Sequence, residues 1–410
     1  MNTGNEQHYD IVIVGGGMVG STMACLLRES PFQIALVDRM DITNRQAKFG
    51  ADSEKLDPRV SALTAASKKL FTELGVWGDV EKQRCCNYYD MNVWDADGTG
   101  SISFAAAELN QPELGTIVEN SILNEALYRH ISEQENLSFL APVRIESHRD
   151  ADKFSRLITE SGNSISAKLV IAADGANSKI RELCGFRTRE WDYNHHAIVT
   201  TVRTELPHQQ TALQRFIETG PLAFLPLAKS AVDHEQNYCS IVWSAIPERA
   251  EELLALDDEE FCAELTQCIE SRLGTIQWCD ERFSFPLRQR HAVDYVKGNV
   301  VLIGDAAHSI HPLAGQGVNL GFLDAAVLAR ELVHGQQVGR SVADPTVLGR
   351  YQRKRIGHNL GMMWLMEGFK HLFAEQALPI RWLRNIGMSG VDNVSAVKNQ
   401  LARRAMGLDW

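Results

Sequence analysis

No apolar run in this sequence reaches the ~18 residues that a membrane-spanning helix needs. An integral membrane role is therefore not expected. The polar opening Met1–Asp10 leads straight into a β-branched run, so no secretory leader is expected either, and the chain reads as cytoplasmic. A basic excess is also missing. The formal net charge is -11, and binding to a phosphate backbone calls for the opposite footprint, which argues against a general nucleic-acid role. The eight cysteines, at 25, 85, 86, 184, 239, 262, 268 and 279, show neither C-x-x-C nor metal-ligand spacing. They read as reduced thiols, the vicinal pair Cys85-Cys86 included as plain packing, and no metal site is expected. Internal repeats and low-complexity linkers are absent as well. What remains is an ordinary globular composition over 410 residues, 44% of them hydrophobic, enough to bury a large core in two or three domains.

The order of elements is more informative. Tyr9–Val14 is a short buried strand, Met18–Glu29 carries small and apolar residues at helical spacing, and Gln33–Asp38 is a second strand: a β-α-β opening. Residues 59–75 read as a helix ending at Gly75. Residues 88–105 alternate like strands around a turn at Asp97-Gly98, and Asn120–Gln134 is helical. Lys168–Ala173 is a buried strand followed by a turn and a helix. Between 191 and 245 the pattern is strand-like, as in Ala197–Thr204 and Ser240–Ser244. An amphipathic helix follows at 257–273. Asn299–Ile303 is again a buried strand, leading through a loop into a helix at about 317–335 and a mostly helical end.

Three turns carry the chemistry. In Ile11-Val-Ile-Val-Gly15-Gly16-Gly17-Met18-Val19-Gly20 a G-x-G-x-x-G follows a strand, opens a helix, and is matched by an acid, Asp38, at the end of the next strand. Gly15 permits the tight turn, Gly17 lets the backbone approach a pyrophosphate, and Gly20 lets helix and strand pack closely. The helix N-terminus favours the phosphate charge, and Asp38 suits the adenosine ribose hydroxyls. In the second turn, Val170-Ile-Ala-Ala-Asp174-Gly175 ends a strand and Ser178 caps a helix, with Arg181 one turn in. In the third, Val300-Val-Leu-Ile-Gly304-Asp305 ends a strand, and the loop His311-Pro312-Leu-Ala-Gly315-Gln316-Gly317-Val318-Asn319 enters a helix. That loop's N–H groups and the helix dipole would make an electropositive pocket. Taken singly, the last two turns also read as ordinary capped turns.

The three turns in this order resemble the flavin-dependent aromatic hydroxylases of the para-hydroxybenzoate hydroxylase class. Within that class, Arg59-Val-Ser-Ala-Leu, Leu74-Gly-Val-Trp77, Val118-Glu-Asn120, Leu222-Ala-Phe-Leu-Pro-Leu227 and His311 to Gly321 resemble the hydroxylases of ubiquinone biosynthesis, over nearly the whole chain. Val93-Trp94-Asp95, Trp191-Asp-Tyr-Asn-His-His196, Ser240-Ile-Val-Trp-Ser244 and Ala405-Met-Gly-Leu408 are most similar to the 2-polyprenylphenol 6-hydroxylase branch, which acts at the position called C5 in ubiquinone numbering.

The resemblance implies an α/β fold: a Rossmann-like FAD-binding domain with an inserted β-rich substrate domain and a C-terminal helical region. The implied division is 1–75, 111–190 and 289–345 for FAD binding, 76–110 and 191–288 for the substrate domain, and 346–410 for the C-terminal helices. It implies FAD held by Gly15, Gly17, Gly20, Asp38, Arg59 (on the pyrophosphate and adenosine), Asn120, Asp174, Gly304, Asp305 (on the ribityl chain), Gly315, Gln316, Gly317, Val318 and Asn319. It also implies NAD(P)H and O2 as co-substrates and hydroxylation of a polyprenylphenol ring. A second G-x-G-x-x-G is absent, which suits a class in which NAD(P)H binds transiently. Asp38 departs mildly from relatives, where Glu is common. No catalytic residue is assigned; His195 or His196 could poise a phenol proton, but packing is the plainer reading. The pathway's other ring positions stay open, and a flavin-bearing scaffold is disfavoured by the intact loops. Val242-Trp243-Ser244-Ala245-Ile246-Pro247 lacks the paired tryptophans of flavin halogenases.

The segment Arg350–Trp410 holds ten Lys or Arg against four acids, a net of +6, while the rest of the chain carries -17. Met362, Leu365, Met366, Phe369, Leu372 and Phe373 share one helical face. The expectation is packing on the FAD domain or a second subunit, or else peripheral docking to an anionic membrane or to partner enzymes of the pathway.

Overall fold

The computed structural model of the chain describes residues 7–41, 55–95, 100–151, 153–230, 235–309 and 317–374. One sheet is built on parallel strands. Gln7–Val14 lies between Ser164–Ala172 and Ile34–Val37, with Val300–Leu302 and Leu137–Leu140 beyond them. Ile11, Val12, Ile13 and Val14 are all buried, which is why this strand is written as an unbroken apolar run rather than an alternation. The helix Met18–Leu26 leaves the first strand at once and packs against the long helix Gly317–Gln337 and against Asn120–Ser132.

The second sheet runs in the order His308–Ser309, Phe283–Ala292, Thr188–Thr204, Tyr238–Ala245, Gly220–Leu227, Thr211–Ile217, Asp90–Asp95, Ser101–Ala105. Its alternation sorts side chains onto two faces. One face, with Ile198, Val202, Leu222, Phe224, Ile241 and Trp243, packs under the helices Pro247–Ala255 and Asp258–Cys268. Each large side chain fully buried there contributes about 1.5–3 kcal/mol. The other face, with Ala212, Leu225, Leu227 and Val242, meets a small antiparallel sheet of Val60–Leu63, Gly115–Glu119 and Cys85–Tyr88. The β-rich sheet is thus committed on one side to its own core and on the other to the nucleotide-type layer.

The helix expected over 59–75 is two elements. Val60–Leu63 is a strand paired antiparallel with Gly115–Glu119, and only Ala65–Glu73 is helical, capped by the Thr64 hydroxyl, which accepts from Ser67 N at 3.4 Å. A four-residue apolar run has no period of its own, and the partner strand decides its state. The amphipathic helix expected over 257–273 stops at Cys268, where Glu270 and Ser271 take positive φ. His195 and His196 lie inside the strand Thr188–Thr204, beside a register shift. The turn at Asp97-Gly98 lies outside the described residues. All eight cysteines are unbonded thiols, and burial pushes those of Cys85 and Cys86 up to about 11 and about 12, so both stay protonated.

Candidate functional site

The first turn is shaped by contacts a side chain would destroy. Gly15 has φ +105°, and a Cβ there would lie 2.4 Å from the Ala173 carbonyl oxygen; a Cβ on Gly20 would lie 1.8 Å from the Gly15 oxygen. Gly17 differs. Its φ is -73°, and an added Cβ would meet nothing within 4 Å. Two of the three glycines are therefore required by the protein's own packing. The third faces open space at the N-terminus of the helix. Asp38, at the end of the second strand, turns its carboxylate to the same turn: Gly16 N donates to Oδ2 at 2.7 Å and Met40 N to Oδ1 at 2.8 Å.

The second turn leaves the neighbouring strand at Ala173. Asp174 Oδ2 accepts from Ile180 N at 3.2 Å, while its buried Oδ1 has no partner in the structure, and burial pushes the carboxyl up. Ser178 caps the helix Lys179–Leu183 by accepting from Arg181 N at 3.0 Å. Arg181 then ties the second turn to the third, donating to the Ala176 oxygen at 2.7 Å and the Ala306 oxygen at 3.0 Å.

The third turn places Gly304 at φ +59°. Asp305 follows, open to the groove but enclosed by protein on its other sides, where desolvation pushes its carboxyl up. Gly317 and Val318 begin the long helix. Gly315 and Gln316, with His311, lie outside the described residues. Asn319 is not presented to a groove. It is buried, accepting from Ser67 Oγ at 2.7 Å and Thr64 N at 3.1 Å and donating to the Ala62 oxygen at 2.8 Å. Its side chain therefore fastens the long helix to the small sheet, which leaves the backbone of Asn319 as its part in the expected cofactor loop.

These turns converge on one cavity of about 420 Å³. Gly17, Met18, Val19, Ala173, Gly175, Ile303, Asp305, Gly317 and Val318 form the nucleotide-type side. Val199, Ser240, Val242 and Phe285 form the β-sheet side, and Arg59, Ser61 and Asn120 close a third. Arg59 is well exposed there; Asn120 Oδ1 accepts from Ser61 Oγ at 2.6 Å. Neither His195 nor His196 borders the cavity. His195 Nδ1 is 2.7 Å from the oxygen of Tyr193 on its own strand.

Two buried ionic clusters hold these walls, and neither was anticipated. Arg84 donates to Glu119 through Nε at 2.8 Å and Nη2 at 3.1 Å. Glu119 accepts from Asp57 N, and Asp57 accepts from the backbone N of Arg59 and of Ser121. Under the third turn, Asp324 is fully buried. It accepts from Gly304 N at 3.0 Å, from Arg355 Nε at 2.6 Å and from Asn359 Nδ2 at 3.2 Å, and stands 2.5 Å from His308 Nε2. Burial alone would push its carboxyl up; the charges of His308 and Arg355 hold it well below the usual range. Asn359 and Tyr295 extend the cluster to His291. Arg355 is therefore an inward-facing counter-ion, not part of a basic docking surface, and Lys354 pairs with Glu331. The side chains of Leu365, Met366, Phe369, Leu372 and Phe373 lie outside the described residues. A signal for Arg355 was present: Tyr351, Arg355 and Asn359 recur every fourth residue along the buried stripe that Val347 and Leu348 begin.

His291 gives the cluster an acid limit. Burial first, then the nearby positive groups His308 and Arg189, lower it from 6.5 to about 4. A neutral folded histidine contributes stability above its unfolded pKa, and that contribution is lost as pH falls from about 6.5 through about 4. Urea unfolding of the wild type should show a drop of about 2–3 kcal/mol between roughly pH 7 and pH 4.5 from this group. A His291→Gln variant should show a correspondingly smaller drop. Equal pH dependence in the two proteins would remove His291 from the account.

The family model described as FAD binding domain matches residues 8–363. The chain is 37% identical to 3-demethoxyubiquinol 3-hydroxylase of Escherichia coli, over 98% of this chain and 100% of that protein. It is 33% identical to the mitochondrial ubiquinone biosynthesis monooxygenase COQ6 of Xenopus tropicalis, over 96% and 92%. The fold is shared with p-nitrophenol 4-monooxygenase PnpA of Pseudomonas putida, with a TM-score of 0.77 at 19% identity over 98% of this chain and 99% of that one. Among the described residues no helix is long and apolar enough to cross a membrane, and no group of acids, cysteines or histidines could hold a metal. The chain belongs to the FAD binding domain family, as an FAD-dependent monooxygenase related to the hydroxylases of ubiquinone biosynthesis.

Proposed function

We propose that this enzyme hydroxylates the ring of a polyprenyl-substituted phenol in ubiquinone biosynthesis, at the position called C5 in ubiquinone numbering. The observation that carries the reaction class is the single cavity with the three nucleotide-type turns on one side and the β-sheet surface of Val199, Val242 and Phe285 on the other. The open space at Gly17 and the unpartnered Asp174 Oδ1 fit an FAD seated along the turns. Gly15, Gly17 and Gly20 would admit the pyrophosphate, Asp38 the ribose, and Arg59 and Asn120 the adenosine side. Asp174, Gly304, Asp305 and the backbone of Gly317, Val318 and Asn319 would hold the ribityl and ring end, with Gly315 and Gln316 completing that loop. In this reading residues 1–75, 111–190 and 289–345 bind FAD, and 76–110 and 191–288 face the substrate. Bound FAD supplies the chemistry of taking reducing equivalents from NAD(P)H and activating O2 for insertion into an aromatic ring. The chain's own part is to orient the ring against the sheet and to keep water away from it, for which Val199, Val242 and Phe285 are suited.

The C5 assignment is supported by Trp191-Asp-Tyr-Asn-His-His196 and Ser240-Ile-Val-Trp-Ser244. A second reading, oxygenation at the 3-position of a demethoxyubiquinol, is favoured by the name of the 37% identical relative. Deleting the gene and identifying the accumulating precursor by mass spectrometry separates them. C5 activity predicts a polyprenylphenol lacking that hydroxyl, whereas 3-position activity predicts the demethoxy quinone. With purified enzyme, a long-chain prenylphenol should stimulate NAD(P)H oxidation and gain one oxygen atom from labelled dioxygen. Label arriving from water would overturn the monooxygenase assignment.

A further inference from the structure

We propose that Ser240, with Thr201 beside it, is the site that receives the ring-bound oxygen of the aromatic substrate. This deepens the function proposed above and rests on it. Ser240 is completely buried and Thr201 is 2% exposed, yet neither hydroxyl has a hydrogen-bond partner in the structure. The two residues are direct cross-strand partners in the pairing of Thr188–Thr204 with Tyr238–Ala245. Such partners project to the same face with Cβ atoms about 5 Å apart, close enough for one small polar group to reach both. That face is the one turned to the nucleotide layer: Ser240 borders the cavity together with Val199 and Val242, opposite Gly17, Asp305 and Gly317.

Other hydroxyls nearby are already committed. Ser61 donates to Asn120 Oδ1 at 2.6 Å, Ser309 to the Asp305 oxygen at 3.5 Å, and Thr200, on the other face of the sheet, to the Asp280 oxygen at 2.9 Å. A buried hydroxyl without a partner costs free energy, and two side by side, Ser240 in an otherwise apolar cavity wall and Thr201 behind it, are disfavoured unless something completes them. A hydroxyl both donates and accepts, so the pair can accept a hydrogen bond from a phenol or donate one to a phenolate or quinol oxygen. The ligand class is an aromatic ring bearing a free hydroxyl, lying against Val199 and Val242. The pair positions that ring by its oxygen and so selects which carbon faces the nucleotide side.

The test is equilibrium binding to the FAD-loaded enzyme, followed by quenching of intrinsic fluorescence. The probes are 2-geranylphenol and its methyl ether, which keeps the apolar bulk but cannot donate. Wild type should favour the phenol by about 10-fold or more, as sites that hydrogen-bond a hydroxyl do. A Ser240→Ala/Thr201→Val double variant should bind the ether as wild type does and lose the preference for the phenol. Its FAD content should be unchanged, and its thermal midpoint unchanged or raised, because unpartnered polar atoms are being replaced by apolar ones. No preference in wild type, an undiminished preference in the variant, or a clear fall in the variant's midpoint would each overturn the proposal. A Ser240→Thr, Thr201→Ser exchange should restore the preference; failure to do so counts against it as well. If the preference is present but no labelled oxygen enters the ring on turnover, the functional reading fails while the binding site stands.

Discussion

Replacing Arg355 by Ala is expected to cost about 3–5 kcal/mol of folding stability, a large share of the ~5–15 kcal/mol that holds a typical protein. The reason is what stays behind. Asp324 lies at 0% exposure, and Arg355 supplies it with a charge-assisted hydrogen bond at 2.6 Å. Without the guanidinium, the carboxylate keeps His308 and the neutral donors Gly304 N and Asn359. Leu320 O and Asn359 Oδ1 would lose a donor too. Urea unfolding reads the loss, and FAD content after purification reads its reach into the Gly304-Asp305 turn. Lys354→Ala, one residue away and half exposed, should cost no more than about 1 kcal/mol. Equal, small losses in both variants would show that the buried cluster is not a main support of the fold.

Gly20→Ala and Gly17→Val should separate folding from cofactor binding. A methyl group on Gly20 would sit 1.8 Å from the Gly15 oxygen, so the helix Met18–Leu26 must move off the strand that the whole parallel sheet is built on. Overpacking of this kind costs about 1–3 kcal/mol where the surroundings yield and more where the obstacle is backbone. The expected result is little soluble, folded protein. At Gly17, by contrast, φ is an ordinary -73° and the space is empty. A valine there should change stability by about 1 kcal/mol at most and yet leave the purified protein colourless, because the side chain fills the room proposed for the pyrophosphate. A yellow, fully loaded Gly17→Val protein would show that the cofactor does not pass this turn. A Gly20→Ala protein as stable as wild type would contradict the packing described at Gly15.

The parts of this molecule legible in the sequence are those whose cause is local. Ile11–Val14 with its glycines carries strand, turn and helix start in ten residues, and the Asp174-Gly175 and Gly304-Asp305 turns announce themselves by a strand ending in a pair that the backbone needs. Val60–Leu63 could not be read, because its state depends on Gly115–Glu119, more than fifty residues later. Asp324 and Arg355 were opaque for a related reason. A charged residue on a helix looks solvated until its partner from another helix is known, and Arg355 is one of ten such cations in its segment. Asn319 sat in a motif whose glycines suggested ligand contact, yet its amide bonds to Ala62, Thr64 and Ser67. Ser240 and Thr201 stood within strands legible as strands, but only their register revealed two hydroxyls facing each other.

The bond from Gly304 N to Asp324, and from Asp324 to Arg355, also has a consequence for the order of events at the ribosome. The first turn has its strand, helix and acid within the opening 40 residues, but its floor, Ala173, arrives much later. The third turn waits longer still, since its counter-ion Arg355 lies about fifty residues further along the chain. A nascent chain interrupted within Pro345–Ala374 before that point would carry every described glycine of the site and, beneath them, an acid lacking its arginine counter-ion. Loading with cofactor should therefore follow synthesis of the third turn rather than accompany it, and be completed only when Arg355 has left the exit tunnel and docked.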